Sequence, residues 1–142
     1  MTLKTSFLTL ILYFVALIGF AQSPVGIWKT IDDETGEAKS HVEILKKNGK
    51  YYGKIVKLLQ SKPDAVCDEC PGAKKNQKVV GLEIIWDMEP YDDYWSYGKI
   101  LDPKSGKEYK CNISLDGNNK LDVRGYVGFA ALGRTQTWIR VE

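Results

Sequence analysis

Between Lys107 and Asp116 apolar and polar side chains alternate one for one. Tyr109, Cys111, Ile113 and Leu115 fall on one side, and Lys110, Asn112, Ser114 and Asp116 on the other. A period of two is the signature of a strand with one buried and one wet face, and such strands belong to antiparallel sheets. The turn chemistry around it agrees. Asn48-Gly49 supplies the positive φ angles of a two-residue hairpin, Asp102-Pro103-Lys104-Ser105-Gly106 presets a turn with Pro and finishes it with Gly, and Gly117-Asn118-Asn119 makes another. Strands are predicted at Gly26 to Asp32, Lys39 to Lys47, Tyr51 to Leu59, Val79 to Trp86, Tyr94 to Leu101, Lys107 to Asp116, from Leu121 onward, and Thr135 to Val141. Asp87 to Asp93, with Pro90, reads as a turn. About eight strands, short connections and no amphipathic helix predict an all-β fold, an up-and-down antiparallel barrel that leaves no sheet edge exposed. A meander closes only if its last strand reaches its first, so Leu121 to Arg140 is the closing unit. Leu121, Val123, Val127, Ile139 and Val141 are its expected packing residues, and Gly125 and Gly133 shape its corner.

Ahead of the strands, Lys4 precedes an apolar run from Phe7 to Phe20, and Gly19 and Ala21 give a small-residue cleavage pattern. Residues 1 to 21 are read as a secretory signal peptide, leaving residues 22 to 142 as a single β-barrel domain exported to the periplasm or beyond. The run is shorter than the roughly 20 residues of a spanning helix, and no basic stop signal follows, so no membrane span is expected after cleavage. No cysteine follows the cut to carry a lipid. The mature chain has 142 − 21 = 121 residues, the size of one domain. Losing Lys4 takes the formal charge from +2 to +1, and the lysines are interleaved with carboxylates. Nucleic acid and anionic membranes, which call for a concentrated positive field, are therefore not expected partners.

Gly26-x-Trp28 at the start of the first strand and Arg140 in the last resemble the lipocalin and wider calycin pattern, in which an arginine packs over that tryptophan at the closed barrel end. The resemblance implies a structural role for Trp28 and Arg140. More specifically, GIWKTIDDETGEAKSHVEI, YYGKIVKL, the C-x-x-C loop, VVGLEII, YGKILDPKSGKEYKC and LDVRGYVGFAALGRTQTWIRV resemble a family of short exported bacterial proteins of unknown function with lipocalin-like barrels. That likeness spans the mature chain and brings fold and export with it, but no reaction.

No residue is assigned a catalytic role, and no cofactor is expected. Cys67-Asp68-Glu69-Cys70 lies in the irregular stretch from 60 to 78. In an oxidising compartment the pair is expected to form a disulfide that staples the loop. The rival reading is a metal or redox site. Zinc would need Asp68, Glu69, His41 or Cys111 to complete its ligands, and a redox pair would need a helix N-terminus where Pro71-Gly72 stands. Cys111 is expected in the core, and His41, opposite Val42 and Ile44, faces water. A third reading is a hydrolase or isomerase using Glu83 or Asp32 in the lumen, which requires a neighbouring arginine. Glu83 shares a face with Val79, Gly81 and Ile85, and could equally lie on an outward face. Gly125, Gly128 and Gly133 lack both the spacing and the following helix of a phosphate loop. The Asn112-Ile113-Ser114 sequon is mid-strand.

The leading expectation is a non-enzymatic barrel binding a small apolar or amphipathic ligand, or a partner, at its open end. A barrel this size can hold one small molecule, and aromatic walls with arginines suit an apolar body with an anionic end. Arg124, Arg134, Gln136, Trp138 and Glu83 are the candidate ligand-binding residues.

Overall fold

The structure is a computed structural model and describes residues 22–142. The expected signal peptide, residues 1 to 21, lies outside the described residues. Eight strands follow one another: β1 Gly26–Ile31, β2 Ala38–Lys47, β3 Lys50–Leu58, β4 Glu83–Tyr91, β5 Tyr94–Leu101, β6 Glu108–Asp116, β7 Lys120–Tyr126 and β8 Arg134–Arg140. Each pairs antiparallel with the next, and β8 returns to β1, so the sheet closes into an up-and-down barrel. The β2–β3 hairpin turns on Asn48 and Gly49, at φ 53° and 78°, the left-handed pair a two-residue hairpin needs.

The bounds of β4 differ from the sequence expectation. Val79 does not begin the strand; its N–H donates to the Ala65 carbonyl inside the long β3–β4 loop, and Gly81 at φ 94° turns the chain. The strand runs instead through Pro90 to Tyr91. Proline is tolerated there because the β3–β4 ladder ends at Met88, so no β3 carbonyl awaits the missing N–H, while Pro90 sits opposite Trp95 of β5. Val127 and Val141 are also not packing residues, being 71% and 44% exposed. The last β7–β8 pair is Gly125 with Arg134, and beyond it no opposing wall covers Val127.

Inward side chains fill the barrel at mid-height. Trp28, Val42, Ile44, Met88, Cys111, Ile113 and Leu121 are all 0% exposed. A lumen wide enough for a ligand would leave accessible surface on its lining, and these side chains have none, so the anticipated ligand-holding interior is a packed core. Burial pushes the Cys111 thiol up to about 12, so it stays protonated and behaves as a small apolar residue.

One end is sealed by β1 and β8. The Arg140 guanidinium lies 4.3 Å over the Trp28 ring. It donates to the backbone carbonyls of Asn118 at 2.6 Å, Val25 at 3.0 Å and Ser23 at 3.2 Å, while the Trp28 indole N–H donates to the Pro24 carbonyl at 2.8 Å. Gly26 is required at this point, since a Cβ there would run into the Arg140 Nη1 and the Glu142 carbonyl.

The long β3–β4 loop is anchored rather than free. Cys67 and Cys70 are bonded, with Cα atoms 5.4 Å apart, and both are buried. The Cys67 sulfur lies 3.3 Å from the Pro103 carbonyl of the β5–β6 turn, Gly106 of that turn meets the Glu69 carbonyl, and Lys74 lies 3.8 Å over the Trp86 ring. The loop is therefore docked on the β5–β6 turn.

Candidate functional site

At the end opposite Trp28 the barrel presents the β1–β2 turn, the long β3–β4 loop, the β5–β6 turn and the β7–β8 lip. The strand register decides what faces inward there. Leu121 pairs with Trp138, Val123 with Gln136 and Gly125 with Arg134; Leu121 and Val123 are buried in the core, so Trp138, Gln136 and Arg134 form a ladder up the inner face of β8 to the mouth. Trp138 is buried at its foot, Gln136 is half-buried, and Arg134 is exposed at the rim.

A carboxylate that sequence reasoning missed holds this ladder together. Asp33, in the β1–β2 turn, accepts from Arg134 Nε at 3.0 Å and Nη2 at 2.8 Å and from Gln136 Nε2 at 3.3 Å. Gln136 in turn accepts from the Trp138 indole at 3.0 Å, and Arg134 also reaches Glu34 at 2.9 Å. The β1–β2 turn is thereby latched to the neighbouring strand β8 at the mouth. The turn itself is set by Asp32, whose carboxylate accepts the N–H groups of Glu34 at 2.8 Å and Thr35 at 3.1 Å. Only the doublet Asp32-Asp33 before a turn signalled it: one carboxylate shapes the turn, which frees the next to face the arginine.

Partial burial alone would raise the Asp33 carboxyl, but the hydrogen bonds from Arg134 and Gln136 outweigh it and hold the group below its ordinary value of 3.8. A carboxyl depressed in the folded state contributes stability above its unfolded value and loses it as pH falls through the depressed value. The latch is thus expected to be whole near neutrality and to open only below pH 3.8. The side-chain amide resonances of Gln136, followed by NMR through an acid titration, should move in that window. Movement between pH 5 and 7 would contradict the latch.

The other candidates separate. Arg124 pairs with Thr135, one position out of step with Arg134, and so lies on the outer wall, donating to the Ala130 carbonyl at 2.6 Å and the Thr135 hydroxyl at 2.7 Å. Glu83 is exposed and opposite exposed Lys54. It does not line the mouth, which corrects its placement among the ligand residues: the register shift in β3–β4 buries Ile84 and Ile85 and leaves Glu83 outside. Of the two carboxylates that the hydrolase reading named, Glu83 is exposed and Asp32 is engaged by the N–H groups of its own turn. Hydrogen bonds from Glu34 and Thr35 hold the Asp32 carboxyl below its ordinary value, the wrong direction for a general acid. Among the described residues no group of three or more His, Cys, Asp or Glu converges as a metal site would. His41 is half-buried on β2; burial, then Lys57 and Lys29, lowers its imidazole below its ordinary value, so it is neutral at neutral pH.

Above the latch stands an apolar lip. Val127, Phe129 and Leu132, around the one-turn helix Ala130–Leu132, are 71%, 77% and 78% exposed. Three large apolar side chains this open and this close in the chain form an exposed apolar patch, the kind of surface that marks an interaction site.

A family model described as an uncharacterized protein conserved in bacteria (DUF2147) matches residues 26–140. Among solved structures, the chain is similar to protein HP1028 from the human pathogen Helicobacter pylori, which belongs to the lipocalin family. Identity is 22%, the match covers 84% of each chain, and the TM-score is 0.75. At that identity the likeness shows a lipocalin-like barrel fold and nothing finer. No curated protein matches.

Proposed function

The chain belongs to the DUF2147 family of bacterial proteins, and from that premise we propose that it is an exported, non-enzymatic binding barrel. It recognises a small amphipathic molecule at the rim of its open mouth and not in its interior. The observation that carries this is that the exposed lip Val127, Phe129 and Leu132 leads through Gly133 directly into Arg134, the first residue of β8. An apolar body can lie on the lip while an anionic end takes Arg134 in exchange for Asp33 and Glu34. Nη1 of Arg134 has no hydrogen bond among the described residues, so a ligand oxygen has a donor waiting before any exchange. Opening the latch would also uncover Gln136 and then Trp138. The Cys67–Cys70 disulfide supports export, since such bonds persist in oxidising compartments.

The reading is tested on protein recovered from the periplasm, whose intact mass should begin at Gln22. Titrated with dodecanoate below its micelle concentration, the protein should show saturable amide shifts over Val127 to Gln136 and at the Trp138 indole. A Phe129→Asp, Leu132→Asp double variant, altered only at exposed positions, should keep the native spectrum elsewhere and lose those shifts. Shifts only at other residues, or saturable shifts that survive in the double variant, would overturn the rim as the binding surface. A protein-sized partner bound there instead would appear as loss of signal from the same residues.

A further inference from the structure

The outer wall carries a second surface, on the opposite face of the strands from the Arg134, Gln136 and Trp138 ladder and reaching the lip at Arg124 and Thr135. A groove of about 560 Å³ runs over β5 to β8 between Tyr94, Asn112, Ser114, Asp122, Arg124 and Thr135. A second hollow of about 400 Å³ adjoins it at Asp93, Tyr94 and Leu115 and extends past Asp92 and Pro90. At its edge stand three tyrosines in edge-to-face contact. Tyr91 lies 5.3 Å from Tyr94 and 5.6 Å from Tyr97, ring centre to ring centre, and Tyr91 and Tyr97 are exposed.

The groove's chemistry is mixed and incompletely used. Ser96 donates to Asn112 Oδ1 at 2.6 Å, which fixes the amide so that its NH₂ is free; Thr137 donates to Asp122 Oδ1 at 2.7 Å, which leaves the other carboxylate oxygen open. An unused amide NH₂ and an unused carboxylate oxygen thus line one groove, and a sugar hydroxyl, being both donor and acceptor, can use either. The aromatic rings offer flat apolar faces to the C–H faces of a pyranose. Asp92, Asp93 and Asp122 outnumber Arg124 along the two hollows, which disfavours phosphate or carboxylate ligands.

Tyr97 adds an independent sign. It holds φ at 66° at a bulge in β5, a conformation that costs a bulky residue energy and that glycine would adopt freely. Nothing in the core uses the exposed ring. A strained, exposed aromatic beside a polar groove is the arrangement in which strain is kept for binding.

We infer that this wall is a binding site for a neutral saccharide, with the Tyr91, Tyr94 and Tyr97 rings as the stacking platform and Asn112, Asp122 and Arg124 as the hydroxyl readers. The test is an NMR titration with maltotetraose and chitotetraose against trigalacturonate as the anionic comparison, taken to about 20 mM, beyond the millimolar dissociation constants expected of a shallow site. A neutral sugar should give saturable shifts in residues 91–97, 112–114 and 122–124. Asp122→Ala should weaken it at least tenfold. Tyr97→Gly should weaken binding while melting no lower than the parent, an outcome that a purely structural tyrosine would not give. The inference is overturned if no neutral sugar saturates, if trigalacturonate binds as well, if the shifts lie elsewhere, or if Tyr97→Gly binds normally. The dodecanoate experiment is distinguished by the inner-face residues Gln136 and Trp138, which do not line the groove.

Discussion

Trp28→Ala should cost about 4 kcal/mol of stability and lower the melting temperature by about 15 °C, the largest single effect expected in this barrel. The indole is fully buried, and it fills the point where β1 meets β8 through the register pairs Trp28 with Arg140 and Lys29 with Ile139. Removing it opens a cavity at the seam and takes away the ring under the Arg140 guanidinium. That guanidinium ties the 23–25 segment and the β6–β7 turn to the seam through three carbonyls. Trp28→Phe, which keeps most of the volume but leaves the Pro24 carbonyl without its 2.8 Å donor, should cost about 1–2 kcal/mol. Urea unfolding of the three proteins gives both numbers. If the alanine variant loses no more than the phenylalanine one, the closed end is not what holds the seam.

Gly106→Ala should be the next most damaging change, at about 3 kcal/mol, for two additive reasons. Gly106 sits at φ 74°, where a Cβ costs about 1–2 kcal/mol. The new methyl would also run into the backbone carbonyl of Glu69, which is not the movable end of a side chain, so the cysteine loop must lift off the β5–β6 turn. Gly117 provides the control. It holds a similar φ of 65° with nothing within 4 Å of an added Cβ, so Gly117→Ala should show the conformational cost alone. A second readout follows from burial: Cys67 and Cys70 are 1% and 2% exposed, so dithiothreitol should reduce their bond faster in Gly106→Ala than in Gly117→Ala. Equal reduction rates would mean that the loop is not docked through Gly106.

The two proposed surfaces were unequally visible in the chain. Arg134, Gln136 and Trp138 are spaced at two, so their common face was implicit in LGRTQTWIR, but nothing local said that this face was the inner one. Arg124 looked like their companion and is instead on the opposite side of the wall, because a strand pair one residue out of step reverses every side chain. Asp33 was invisible as a ligand of that cluster, being about a hundred residues away in the chain from Arg134. Likewise Glu83 could not be placed while the β3–β4 register shift was unknown.

Some properties were settled by the sequence alone, because they depend on neighbours in the chain. Period-two alternation, Asn48-Gly49 and the Asp102-to-Gly106 turn dictate strands and reversals through local sterics, and eight such strands with short links predict the closed meander found here. Tertiary structure alone decided whether the interior is open, because that depends on how side chains from eight strands share one volume, and Trp28, Ile44, Met88, Ile113 and Leu121 together leave no accessible space among them. It also decided that Pro90 lies inside a strand, since only the end of the neighbouring ladder excuses its missing donor. By the same long-range register it turned Arg134 toward Asp33 at the mouth and Arg124 toward the outer groove.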